Sequence, residues 1–346
     1  MPDRVFWRLW GFMSVTIPSA GASGAGRDLV KFITRGFGWA MLAFFVAWMI
    51  NAIMTLSFEW PGALAFIDGA NSFASSFQFA MFPLAIGLAI GWVYCSEHIS
   101  LRQDAARISN INEFLIRWAF FAVLLVGLVD MTISFLRVEG LLATFVGDQL
   151  TQDLGRSAFR GPWVHIPLVA VALIFALRSK SLGFHWLTLL IVVAELAIVI
   201  TRFIFSYEQA FMGDLVRYWY AALFLFGSAY TLLEDGHVRV DVFYAGMKNT
   251  TKGFVNAVGT LFLGITLCWV IIVLSLGGRN AIVYGSVTNF ETSQSGFGMY
   301  VKYQMALFLA IFAVTMLIQF VSYLMESVAD YRGEDGTRLD REVTMH

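Results

Sequence analysis

Charge is scarce in this sequence. Asp, Glu, Lys and Arg make up 14% of its 346 residues, where a soluble domain carries about 25%. Cysteine is nearly absent. Cys95 and Cys268 lie far apart in apolar stretches, so they read as buried small side chains, not as a disulfide or a metal pair. The five histidines are scattered, and CxxC, HExxH and Walker-type loops are missing. The usual zinc, metalloprotease and nucleotide-binding classes fall away, and no cofactor is expected. A net charge of −1 leaves no field that would recruit nucleic acid. Residues 1–35 hold no apolar run followed by a small-residue cleavage site, so they are not a cleavable signal.

What is abundant is apolar surface. Hydrophobic residues reach 58% and aromatic residues 16%. A soluble protein of this size cannot hide that much, so the excess needs the bilayer as a second solvent. A spanning helix takes about 20 mainly apolar residues. Eight stretches qualify: 36–57, 75–96, 118–136, 162–178, 185–205, 217–234, 254–276 and 303–325. The fourth opens on Pro162 and Pro167, which a first helical turn tolerates. Aromatic residues suit interface belts and large contact faces.

Lys and Arg set the orientation. With the N-terminus in the cytoplasm, 16 of the 23 basic residues fall inside, among them Arg35, Arg102 and Arg107, and 7 outside, among them Arg137, Arg160 and Arg202. Both termini are therefore expected in the cytoplasm. Residues 1–35 form an N-terminal cytoplasmic or interfacial segment, with Phe6, Trp7, Trp10 and Phe12 interleaved with Arg4 and Arg8. Residues 332–346 form a polar cytoplasmic tail.

The chain reads as two four-span units, 36–180 and 183–331. Gly161–Ala176 aligns with Gly298–Ala313 at an offset of 137, with five of sixteen positions identical. Glu97-His98-Ile99 aligns with Gly236-His237-Val238 at an offset of 139. An even number of spans per unit makes the copies parallel. The expected fold is an all-α integral membrane protein of eight transmembrane helices in two parallel four-helix units.

Chemistry-bearing residues are few. Asp130 and Glu195 fall inside spans three and five, and a charge at mid-membrane usually marks a partner or a function. A proton or ion site is one reading; pairing with a neighbouring subunit, or a protonated carboxyl, is the other. His165 and His185 lie at span ends, which does not suit haem ligation across helices. Asp235, His237 and Asp241 are the nearest approach to a catalytic group, and loop polarity explains them equally well. Polar clusters at mid-depth and broken helices, as a self-sufficient carrier would show, are not evident.

Three stretches carry a resemblance: Thr201-Arg-Phe-Ile-Phe-Ser206, Gly213-Asp-Leu-Val-Arg217 and Glu234-Asp-Gly-His-Val-Arg-Val-Asp241. They resemble the small membrane subunit of tripartite ATP-independent periplasmic (TRAP) transporters, the DctQ-like family. Gly236-His-Val-Arg-Val-Asp241 is nearly a full match to its most specific motif, while Gly213 and Ser206 depart from the pattern. The resemblance covers about 183–331. Family members usually hold one four-span unit, so the first unit is an addition.

The resemblance implies a non-enzymatic scaffold subunit of the bacterial inner membrane. It implies two protein partners: a large permease subunit with the substrate and Na⁺ sites, and a periplasmic solute-binding protein that delivers an organic acid, often a carboxylate. It marks Arg202, Asp214, Arg217, His237, Arg239 and Asp241 as interface or structural residues. Arg202, Asp214 and Arg217 are expected to meet at one interface depth as a polar clasp or a local anchor. A stand-alone eight-span carrier and a membrane enzyme or haem-bearing subunit are the competing readings.

Overall fold

The computed structural model describes residues 28–70, 72–180, 184–207, 209, 211–234, 242–292 and 298–336. Eight long helices organise the described residues: α1 Leu29–Ser57, α2 Phe73–Cys95, α3 Leu101–Val138, α4 Ser157–Arg178, α5 Phe184–Phe205, α6 Met212–Leu233, α7 Asn249–Leu276 and α8 Lys302–Tyr331. Short helices fill the turns, among them Ala63–Ile67, Leu142–Val146 and Ile282–Thr288.

Local sequence explains the starts. Asp28 caps α1 by accepting the Lys31 amide, and Ser72 and Ser100 open α2 and α3 with capping boxes. Each side-chain oxygen satisfies a donor that the first helical turn leaves unpaired. Pro162 and Pro167 do not mark a helix start. The helix begins at Ser157 and widens to a π-type turn over Gly161–His165. A proline has no N–H to give its i−4 carbonyl, and the wider turn absorbs both rings.

Seven of the eight helices are long and apolar enough to cross a membrane. The exception is α6, where Tyr218, Trp219, Tyr220, Ser228, Tyr230 and Thr231 dilute the aliphatic residues. Its apolar side is spent inside the protein, where Leu215, Ala222, Phe226 and Ala229 are buried. The longest helix, α3, has 38 residues, about 57 Å at 1.5 Å per residue. Its apolar run starts only at Trp118, so residues 101–117 continue past it as a polar, largely packed extension.

The bundle is built around α8. Its most apolar window is 56% buried, against 11% for α1, α2 and α5. It packs on α1, α3, α6 and α7, and α3 packs in turn on α4 and α6. One core gathers Phe120, Tyr218, Trp219, Phe226 and Phe308. The other gathers Phe45, Leu101, Ile272, Leu317 and Met325. Small residues permit the close crossings. A Cβ on Gly253 of α7 would stand 2.4 Å from the backbone nitrogen of Tyr331 in α8, and one on Gly127 of α3 would stand 2.2 Å from the Trp219 indole.

Cys268 is buried, as its setting suggests, but Cys95 is exposed. The reason is packing: α2 rests mainly on α1, and its far side faces outward.

Candidate functional site

A buried polar network lies where α3, α4, α6 and α8 converge. Asp130 of α3 is its centre and is fully buried. Its Oδ1 accepts from Arg160 Nη1 at 2.7 Å and from His165 Nε2 at 3.1 Å, and its Oδ2 accepts the Tyr300 amide at 2.9 Å. Arg160 also donates to Ser134 Oγ at 3.2 Å and to the Leu154 carbonyl at 2.5 Å. Its Nη2 finds no hydrogen-bond acceptor among the described atoms. The guanidinium lies instead over the Tyr300 ring, 4.4 Å from the centroid.

The network runs on as a chain with one donor direction. Tyr218 Oη donates to Gln304 Oε1, Gln304 Nε2 donates to Tyr303 Oη at 3.0 Å, and Tyr303 Oη lies 2.6 Å from His165 Nδ1. The Asp130 carboxylate only accepts, so His165 carries its proton on Nε2, and in the neutral ring Nδ1 is the acceptor of the Tyr303 hydroxyl proton. The ring's two nitrogens are both used. A buried polar chain is stable only when its members are satisfied in this way.

The opposite end of the bundle holds a second buried pair. Arg35 Nε of α1 donates to Asp104 Oδ2 of α3 at 2.6 Å, and its Nη1 and Nη2 reach the Ser96 carbonyl and hydroxyl at 2.8 and 2.9 Å. Trp39 Nε1 adds a bond to Asp104 Oδ2 at 3.0 Å. At the same end Arg102 meets Asp330 at 2.8 Å, and Arg332 pairs with Asp28. The described chain therefore enters and leaves the bundle at one end.

Between these ends α3 and α8 share a polar seam. Ser109 and Ser322 lie 2.8 Å apart, Gln319 Nε2 donates to Ser109 Oγ at 3.1 Å, and Asn112 Nδ2 donates to Gln319 Oε1 at 3.1 Å and to the Thr315 carbonyl at 2.9 Å. The seam lies on the polar extension of α3, before its apolar run begins at Trp118. The residues are singletons in sequence, and only the crossing of two helices about 200 positions apart assembles them.

The sequence candidates are distributed as follows. Asp130 is in the buried network, and Glu195 is exposed near the middle of α5. Asp214 sits in the first turn of α6, 3.6 Å from Arg217, and accepts the Met299 amide at 3.2 Å. Arg217 is mostly exposed, and Arg202 is exposed in the last turn of α5. His237, Arg239 and Asp241, with Asp235, lie outside the described residues. Sequence reasoning missed Arg160, His165, Tyr303, Gln304 and Tyr218. Arg35 and Arg160 were counted as basic flanks in the charge split, yet both are buried in ion pairs. The one available signal was Asp130 itself, a carboxylate inside a span with no basic residue one turn away in its own helix.

Residues 190–329 match the family described as Tripartite ATP-independent periplasmic transporters, DctQ component. This chain carries a DctQ domain. No curated protein and no solved structure is significantly similar to the chain. The DctQ component is the small membrane subunit of these transporters, a transport part and not an enzyme family.

The DctQ domain takes in most of α5, all of α6 and α7, and nearly all of α8. Each polar joint described above ties a helix that precedes it to this domain or to a neighbour. Asp130 and His165 reach Tyr300 and Tyr303, Asn112 and Ser109 reach Gln319 and Ser322, and Arg102 reaches Asp330 just beyond the matched residues. The first-half helices α3 and α1 thus pack directly on the DctQ domain's last helix.

Proposed function

We propose that this chain is the small scaffold subunit of a TRAP-type secondary transporter in the bacterial inner membrane. A large permease subunit carries the substrate and ion sites, and a periplasmic solute-binding protein delivers the solute, an organic acid with a carboxylate. A Na⁺ gradient drives import. The observation that carries this reading is the DctQ match over residues 190–329. The packing supports a bracing role: α8 is gripped on several sides, and polar joints fix it to α3 at both ends and to the start of α1 at one. In a bilayer such joints are hard to exchange for water, so they hold helices in register.

In this reading the chain crosses the membrane eight times with both ends in the cytoplasm, as two parallel four-span units. Domain boundaries stay at 36–180 and 183–331, the first unit being an added brace for the second. The pairing of Asp28 with Arg332 supports an even number of crossings. Reporter fusions in the turns at Ala63–Ile67, Leu142–Val146 and Ile282–Thr288 should all report the periplasm.

The test of function is reconstitution. Vesicles holding this chain and the large subunit, with the binding protein added, should take up a carboxylate down a Na⁺ gradient. Omission of this chain should abolish uptake. Uptake by this chain alone would replace the scaffold reading with that of a self-sufficient carrier.

A further inference from the structure

Helix α5 shows two faces. Leu187, Ile191 and Ala194 are buried, and α6 is the helix it chiefly packs on. The other face is open. Thr188, Val192, Glu195, Val199 and Arg202 are all exposed and recur at spacings of four, three, four and three residues. That alternation places five side chains in one stripe, the pattern by which one helix seats another. Glu195 is its midpoint. It lies eleven residues from Phe184 and ten from Phe205, about 16 Å and about 15 Å from the two helix ends.

An ionisable residue at the centre of a spanning helix almost always faces a bundle interior or a partner group. Glu195 faces neither among the described residues. It makes no hydrogen bond or ion pair with any described residue, and its stripe neighbours Val192 and Val199 are 58% and 48% exposed. The exposed carboxylate therefore specifies what covers it. A second copy fits badly. Two copies with the same membrane orientation are related by an axis along the membrane normal, which sets Glu195 at the depth of its own counterpart and carboxylate against carboxylate.

We infer that the outer face of α5 is the seat of a membrane-spanning helix of a different chain, one that presents Lys, Arg or His to Glu195 at mid-depth. On the function proposed above, which this inference rests on, that chain is the large permease subunit.

The test uses the full chain co-expressed with the large subunit of the same transporter. A photoreactive residue is placed at Val199, and as a control at Leu274, which is exposed on α7. The Val199 probe is expected to cross-link to the large subunit and the Leu274 probe not to. Glu195→Lys should lower co-purification about tenfold by setting cation against cation, and Glu195→Gln about threefold by weakening one interhelical bond. Membrane levels of this chain should stay unchanged; if Glu195→Lys fails to accumulate, Glu195→Gln carries the comparison. A Val199 probe that links two copies of this chain, or Glu195 variants that co-purify as wild type does, would overturn the inference and leave the scaffold function standing. A wild-type chain that does not co-purify with the large subunit would overturn both.

Discussion

Asp130 accepts the backbone amide of Tyr300 at 2.9 Å across 170 residues of chain. The contact joins the third helix to the entry of the last one. Arg160 seals it, with its guanidinium between the carboxylate and the Tyr300 ring. A charge buried this fully is costly unless its partners are all in place, so the joint should behave as a unit.

Asp130→Ala should therefore destabilise the protein strongly. Removal of one member of a buried ion pair costs about 3–5 kcal/mol, because the other charge stays behind. Asp130→Leu combined with Arg160→Met should recover part of that loss, since neither charge then remains. Thermal unfolding in detergent micelles is the measurement. A double variant no better than the worse single one would show that Arg160 is not held chiefly by Asp130.

Tyr303→Phe tests the contribution of the polar chain. The phenyl ring keeps the packing against Phe290, whose ring centroid is 5.4 Å away. It removes the proton given to His165 Nδ1 and the acceptor used by Gln304. Two buried polar atoms lose their partner, each at about 1–3 kcal/mol. Tyr220→Phe, at an exposed position of α6, should leave the melting temperature unchanged.

Two glycines on helix crossings should respond differently to Ala. In Gly253→Ala the new methyl meets backbone atoms of α8, Tyr331 N at 2.4 Å and Ser327 O at 2.7 Å. Backbone cannot rotate away, so α7 and α8 must part, at about 1–3 kcal/mol. In Gly38→Ala the methyl meets the free end of the Met325 side chain at 2.3 Å. That side chain is flexible and can swing aside. Gly253→Ala should be the more damaging of the two in a thermal melt.

The Asp28–Arg332 pair predicts an acid-sensitive closure of the two chain ends. The hydrogen bond from Arg332 holds the Asp28 carboxyl below its ordinary range. A depressed carboxylate stabilises the folded state above its unfolded pKa, about pH 4, and the contribution is lost as pH falls through the lower folded value. Asp28 is 40% exposed, so screening limits the effect to about 1 kcal/mol at most. Amide hydrogen exchange of the first turn of α1 should rise below about pH 4, and Asp28→Asn should remove that pH dependence.

The apolar runs by themselves determined that this is a helical membrane protein. A stretch of about 20 apolar residues has only one stable home, and its length is set by the bilayer. The same runs located the cores of all eight helices, and the Gly236-His-Val-Arg-Val-Asp241 motif, with Arg202, Asp214 and Arg217, pointed to the family that residues 190–329 match. The internal charges were not legible in this way. Arg160 and Arg35 read as basic flanks, and His165 read as a span end, because one chain position says nothing about what lies beside it. Ser109, Asn112, Gln319 and Ser322 were unremarked singletons for the same reason. Only the tertiary structure decided that α3 and α8 cross, and that crossing turns isolated polar residues into partners. Hydrophobic burial is non-directional and leaves a periodic trace in sequence. A hydrogen bond needs two groups within about 3 Å, and for residues 170 positions apart only the fold can bring them there.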